Sequence, residues 1–173
     1  MLTLSLLRHA KSSWDDRALD DHERPLAKRG AKAGVEMARY IKREGLVPEL
    51  VLCSTAVRTR ATLALLVSEL GPPAPQIRFD DALYLAPSEV ILGRVRAAGG
   101  GARHVMVIGH NPGMHALALE LVGDGDRKTV AALATEFPTA ALAVFGFDVE
   151  DWHDVAVAGG RLQRFITPRR LAG

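Results

Sequence analysis

The 173-residue chain is expected to fold as an α/β protein, a three-layer α/β/α sandwich around a mostly parallel central sheet. Three observations predict it. Short apolar runs recur at residues 2–7, 49–53 and 104–108. Segments with helical periodicity separate them. Each run ends in residues able to do chemistry: Arg8-His9, Ser54 with Arg58 four residues on, and Gly109-His110-Asn111-Pro112-Gly113. In open α/β sheets, ligands bind beyond the carboxyl ends of the strands, so these three groups are expected to converge.

Leu2, Leu4 and Leu6 alternate with Thr3 and Ser5, which reads as a strand. A fully buried parallel strand is apolar on both faces, so Thr3 and Ser5 count against a central position for it. Residues 11–23 have no period and contain four Asp residues, the pattern of a loop. Pro25 is expected to open the first helix. Its buried face is Leu26, Gly30, Ala33, Gly34, Met37 and Ile41, and Gly45 marks its end. The basic residues around the rest of this helix read as a solvated face.

Residues 49–53 form the second strand, and Ser54-Thr55 are placed to cap a helix running to about Leu70. After a Gly-Pro-rich turn, residues 76–79 are a short third strand. Pro87-Ser88 precedes a helix with Val90, Ile91 and Val95 as its stripe, ended by Gly99-Gly100-Gly101. Residues 104–108 give the clearest buried strand. Asn111-Pro112 then start a helix, with proline at its first position. Residues 123–127 read as a polar turn and 130–134 as a short helix. Residues 140–149 and 154–158 read as an antiparallel strand pair that 162–166 extends, and Arg169-Arg170 as a frayed tail.

The length suits one core, so a single domain spanning 1–173 is expected. A net charge of +2 lacks the basic excess of a nucleic-acid binder, and no aromatic platform accompanies the basic helix. No apolar stretch approaches the roughly 20 residues of a membrane span, and residues 2–7 are too short for a signal sequence. A cytoplasmic protein is therefore expected. The single Cys53 forms no internal disulfide and fits buried packing.

If the three strand ends meet, they suit a phosphoryl group. Arg8 and Arg58 supply planar, permanently charged donors for its oxygens. The helices starting near Thr55 and Asn111 are expected to add free N–H groups and positive dipole ends. His110 adds a donor if protonated. His9 keeps a nitrogen free to attack phosphorus, and the adjacent cations disfavour its protonation. The product is a phosphohistidine that water hydrolyses. Taken singly, His9 also fits a packed or capping histidine, Arg58 a surface arginine and His110 a turn residue. His22, His104, His115 and His153 lack such a setting and read as structural or exposed. No His or Cys pair has the spacing of a structural zinc site, so neither metal nor other cofactor is expected.

Leu7-Arg8-His9-Ala10-Lys11-Ser12, Arg24-Pro25-Leu26 followed by Gly30, Ser54-Thr55-Ala56-Val57-Arg58-Thr59 with Thr62, and Gly109-His110-Asn111-Pro112-Gly113 together resemble the motifs of the histidine phosphatase superfamily, the phosphoglycerate mutase-like fold. Their order and spacing match over most of the chain. The short form, with Arg-His-Ala-Lys-Ser and Arg-Pro-Leu, is most similar to the SixA-type phosphohistidine phosphatase branch. The resemblance implies His9 as nucleophile and Arg8, Arg58 and His110 as the phosphate pocket. It also suggests a phosphate contact for Arg24, which has the alternative of pairing with a nearby Asp.

One departure bears on substrate. Many members carry a Glu after the third strand as general acid, where this chain has Tyr84-Leu85. Asp81 and Glu89 are the nearby substitutes, though neither lies on the motif. An alkoxide leaving group, with a conjugate-acid pKa near that of water at about 15.7, needs a proton. Imidazole, with a pKa of about 6.5, leaves with little help. The expected substrate is therefore a phosphohistidine-bearing protein. The alternatives are a small phosphoester or sugar phosphate, or a non-catalytic phosphate or phosphoprotein binder. The short length also leaves no room for a large cap over the pocket. Asp15, Asp16, Asp20 and Asp21 would repel a polyanion if they faced its mouth, or pair with basic groups of a protein substrate.

Overall fold

The structure, a computed structural model, describes residues 1–98 and 100–173. Among these, seven strands form one sheet. They are β1 (Leu2–Arg8), β2 (Leu50–Cys53), β3 (Gln76–Phe79), β4 (His104–Gly109), β5 (Val122–Gly125), β6 (Leu142–Phe147) and β7 (Gly160–Ile166), in the spatial order β3-β2-β4-β1-β6-β7-β5. Only β6 runs against the others. It is antiparallel to β1 and β7, whereas β1, β2, β3 and β4 pair in parallel and β5 is parallel to β7. The α/β class and the largely parallel sheet are as the sequence predicts.

Six helices cover the two faces: α1 (Lys28–Arg43), α2 (Val57–Leu70), α3 (Ser88–Ala98), α4 (Gly113–Leu121), α5 (Arg127–Thr135) and α6 (Pro168–Ala172). The period-2 alternation of the strands divides the core between them. Leu2, Leu4, Leu6, Val105 and Val107 pack with α3, α4 and α5, while Leu7, Val51, Cys53, Met106 and Ile108 pack with α1 and α2. Burial pushes the Cys53 thiol up to about 12, which suits a packing role.

β1 is central, between β4 and β6, despite its two hydroxyls. Ser5 is buried, but its Oγ lies 2.7 Å from His104 Nε2, so the polar group is satisfied inside the sheet. The first helix starts at Lys28 rather than at Pro25. The carbonyl of Pro25 accepts from Ser13 N, Leu26 bridges Ser12, and Ala27 N donates to Lys11 O, so these residues stay extended. Gly30 then lets α1 lie on that loop, because a Cβ there would overlap the Lys11 carbonyl.

Later elements depart further from expectation. Residues 122–125 form an edge strand rather than a turn, with Asp124 paired to Arg161 of β7 at 3.0 Å. Residues 154–158 are not a strand. A 3-10 turn at Trp152–Asp154 buries Trp152, whose indole donates to Ala102 O, and β7 is the antiparallel partner of β6. The supposed tail is α6, capped by Thr167, whose Oγ1 accepts from Arg170 N, and its Leu171 packs on the α1–α2 side. Gly99, part of the triplet expected to end α3, lies outside the described residues. Among the described residues, no helix is long and apolar enough to cross a membrane.

Candidate active site

The parallel pairing of β2, β4 and β1 sets their carboxyl ends side by side. Arg8 is in register with Gly109, His9 N donates to Gly109 O, and Ser54 N donates to Ile108 O. The residues following the three strands therefore meet, as the strand-end argument requires. Arg8, His9, Arg24, Arg58 and His110 all line one cleft of about 500 Å³. Lys11, Ser12, Trp14, Leu85, Asn111, Glu136 and Thr139 also contribute to its walls.

His9 is buried, and its Nδ1 lies 2.7 Å from the Ala10 carbonyl oxygen. A carbonyl only accepts, so Nδ1 carries the proton and Nε2 keeps its lone pair. Burial is the largest influence on its pKa. With the charges of Arg8, Arg58 and Arg24, it outweighs the Ala10 hydrogen bond and pushes the pKa down to about 4. His9 is thus neutral, with a nucleophilic nitrogen, near pH 7.

His110 is 2 % exposed. Its Nε2 lies 2.7 Å from Ser54 Oγ, which also accepts from Ala56 N. A Ser54 hydroxyl that donates to Nε2 places the His110 proton on Nδ1. Burial, followed by His9 and Arg58, pushes the His110 pKa down to about 3. The sequence reading needed a protonated His110 to obtain a donor. Its Nδ1 has no protein partner, and Ser54, read as a helix cap, holds the ring through Nε2.

Arg58 is held by a loop residue. Its Nη1 donates to Asp21 O at 2.7 Å and its Nη2 to Asp21 Oδ2 at 2.9 Å. Arg24 donates from Nε to Asp21 Oδ1 and from Nη1 to Ser12 Oγ, and its guanidinium lies 3.5 Å from the Trp14 ring centroid. Arg24 therefore pairs with an Asp, one of the two alternatives the sequence left open, and it also lines the cleft. Burial alone would raise the Asp21 pKa. Hydrogen bonds from Tyr84, Arg58 and Arg24 reverse this and hold it at about 2. Asp21 is the residue that sequence reasoning missed, and its position three before Arg24 was the available signal. None of Asp15, Asp16, Asp20 and Asp21 lines the cleft itself; Asp16 and Asp21 line a neighbouring hollow that shares Trp14 and Arg24 with it.

Arg8 donates from Nη1 to Phe137 O, which also accepts from Asn111 Nδ2. The segment leading into β6 thereby brackets the nucleophile, with Ala140 N donating to Arg8 O and His9 O. The early N–H groups of α4 are less free than expected. Met114 N donates to His110 O and His115 N to Asn111 Oδ1.

Among the described residues, three buried side-chain nitrogen or oxygen atoms lack a hydrogen-bond partner: Arg8 Nε, Arg58 Nε and His110 Nδ1. All belong to cleft residues; the two arginine atoms are donors, and His110 Nδ1 is a third when Ser54 donates to Nε2. Buried donors are rarely left unpaired without reason. Two guanidiniums and an imidazole N–H around a nucleophilic nitrogen suit an anion with several acceptor oxygens. Among the described residues, no group of three or more His, Cys, Asp or Glu is arranged to hold a metal ion.

The expected acids are elsewhere. Asp81 accepts from the Thr55 hydroxyl and Glu89 lies beside Ser88; neither lines the cleft. Tyr84 donates to Asp21 and sets its ring edge-on to His110, with centroids 5.3 Å apart. Glu136 is the carboxylate that does reach the cleft wall.

The chain is similar to an uncharacterized protein of Mycobacterium leprae, 32% identical over 94% of this chain and all of that one. It also resembles the crystal structure of a candidate phosphohistidine phosphatase SixA from Agrobacterium tumefaciens, with 31% identity, coverage of 96% and 98% of the two chains and a TM-score of 0.81. A second structure given the same assignment, from Nakamurella multipartitia, matches with 31% identity, 96% coverage of each chain and a TM-score of 0.80. No protein-family model matches. Fold and site together define a phosphatase. The chain belongs to the histidine phosphatase superfamily, in its SixA branch.

The low His9 pKa can be tested directly. Nitrogen-detected NMR of the imidazole is expected to show the neutral Nδ1–H tautomer at pH 7 and 5, with protonation centred near pH 4. A midpoint at 6.5 or above would contradict the site electrostatics. The sign carries over to stability. Between about pH 6.5 and 4 the unfolded chain holds a proton at His9 that the folded chain does not. This residue's contribution to stability therefore rises with pH across that window.

Proposed function

We propose that the chain acts as one histidine phosphatase domain spanning residues 1–173 and hydrolyses a phosphohistidine carried by another protein. The observation that carries the substrate reading is the wall where a general acid would stand. Leu85 lines the cleft there and Tyr84, beside His110, turns its hydroxyl to Asp21, while Asp81 and Glu89 lie outside the cleft. A protein substrate is further supported by the rim, where Trp14 is 70 % exposed and Leu85 50 % exposed. Apolar side chains at an uncovered mouth suit the surface of a partner better than a small polar metabolite. The name borne by the Agrobacterium neighbour is in line with this.

In this mechanism the lone pair of His9 Nε2 attacks phosphorus. The bond from phosphorus to the substrate imidazole breaks, and its electron pair stays on that nitrogen. The imidazole leaves neutral when its other nitrogen already holds a proton. Arg8, Arg58 and the His110 N–H meet the charge on the phosphoryl oxygens, and Arg24 adds a fourth donor. Water then attacks the phosphorylated His9, loses a proton and yields inorganic phosphate and the free imidazole.

Comparing phosphoimidazole with an alkyl phosphate tests the reading. The kcat/KM for phosphoimidazole is expected to be at least about 10²-fold higher, the lower end of what a placed acid contributes to ester cleavage. Equal rates would sink it. A second reading, a phosphatase of small phosphoesters, is favoured by the position of Glu136 in the cleft wall. It requires Glu136→Gln to slow alkyl phosphate hydrolysis severely while sparing phosphoimidazole.

A further inference from the structure

The active-site cleft does not end at the phosphoryl pocket. A second hollow of about 270 Å³ shares Lys11, Glu136, Pro138 and Thr139 with it and continues between Arg29, in the first turn of α1, and Arg169, in α6. Pro138 and Pro168 give this groove apolar wall. Lys11, Arg29 and Arg169 are exposed, and none of them is in an ion pair among the described residues. Against these three cations the groove has one carboxylate, Glu136, a local excess of two positive charges. That equals the formal net charge of the whole chain, +2.

None of Arg29, Pro168 and Arg169 borders the phosphoryl pocket itself, so they have no part in holding the reacting group. A polypeptide whose phosphohistidine enters the cleft has its neighbouring residues beside the shared wall of Pro138 and Thr139. From there an extended chain, at about 3.3 Å per residue, enters the groove within a few residues. We propose that this basic groove docks an acidic stretch flanking the phosphohistidine of the protein substrate, a proposal that rests on the phosphohistidine reading above. Its cations draw the stretch in by charge and fix which way the substrate chain leaves the cleft, a contribution to recognition rather than to chemistry.

The test uses two fluorescent peptides with a central phosphohistidine, one with four Glu on each side and one with four Gln. Binding is measured by anisotropy to the His9→Ala protein, which cannot turn them over, with and without R29E/R169E. The Glu peptide is expected to bind about 10-fold more tightly at low ionic strength, with the advantage shrinking in high salt. The double charge reversal is expected to abolish the advantage, and Arg29→Gln with Arg169→Gln to halve it or more should the reversal disturb folding. Equal affinity for the two peptides, or a preference that survives these substitutions, overturns the proposal. Phosphoimidazole hydrolysis by the chain with intact His9 is followed alongside and is expected to be unchanged by R29E/R169E. Its absence in every variant would count against the phosphatase reading, while the binding comparison would still decide the groove.

Discussion

His9→Ala is expected to abolish turnover of phosphoimidazole and of an aryl phosphate alike, with a loss on the order of 10⁴-fold or more. The other cleft residues hold the phosphoryl group, whereas His9, with Nδ1 donating to the Ala10 carbonyl, presents the lone pair of Nε2. His110 has its Nε2 engaged with the Ser54 hydroxyl at 2.7 Å. The substitution also removes the covalent intermediate. Rapid quenching into alkaline denaturant, which preserves P–N bonds, is expected to recover phosphate on His9 in the unsubstituted chain and none in His9→Ala. Substantial activity in the variant on both substrates would eliminate the proposed mechanism. Phosphate binding without any phosphoenzyme in the unsubstituted chain would do the same.

Arg58→Ala is expected to lower kcat/KM about 10³-fold, the upper range for losing one preorganised donor at a developing charge. Arg58→Lys is expected to recover little of it. The Arg58 guanidinium makes two simultaneous bonds to Asp21 while keeping Nε free, and an ammonium has no such planar fork. The stability cost of Arg58→Ala is expected to be about 1–2 kcal/mol by urea denaturation. That lies below the 3–5 kcal/mol of a fully buried pair because Asp21 is 42 % exposed, although Arg58 is 3 % exposed. A variant with near-normal kcat/KM would remove Arg58 from the phosphate pocket.

The part of this site legible in the sequence was the part set by buried strands. Residues 2–7 and 104–108 are apolar because they pair inside the sheet, and parallel pairing puts their ends together. Arg8, His9 and His110 follow from that geometry, and Arg58 follows from a helix that begins four residues after β2. The pairing of Arg24 with a nearby Asp was within reach of the sequence, but the bridge from Asp21 to Arg58 and Tyr84 was not, because it starts from a loop without periodicity and spans 37 and 63 residues. The role of Ser54 was misread because a serine before a helix is ordinarily a cap, whereas here its hydroxyl serves His110. β5 was missed for a different reason. Val-Gly-Asp-Gly has the composition of a turn, and only the neighbouring β7 makes it a strand. Glu136 follows α5 on an irregular segment, so its arrival at the cleft depended on the path of the chain into β6.

The central place of β1 has a consequence for how the enzyme is made. The strand β1 carries Arg8 and leads directly to His9, yet its sheet neighbours are residues 104–109 and 142–147, made long after it. Pairings of such long sequence separation form late, because loop closure must precede the reward of the contact. A ribosome-bound chain that has not yet emerged as far as β6 holds its nucleophile on a strand with one edge unpaired, without the carbonyl of Phe137 to orient Arg8. Nascent chains arrested near residue 135 are therefore expected to lack phosphatase activity and to be prone to edge-to-edge association. Catalytic competence and protection of that edge then arrive together, when β6 closes against β1.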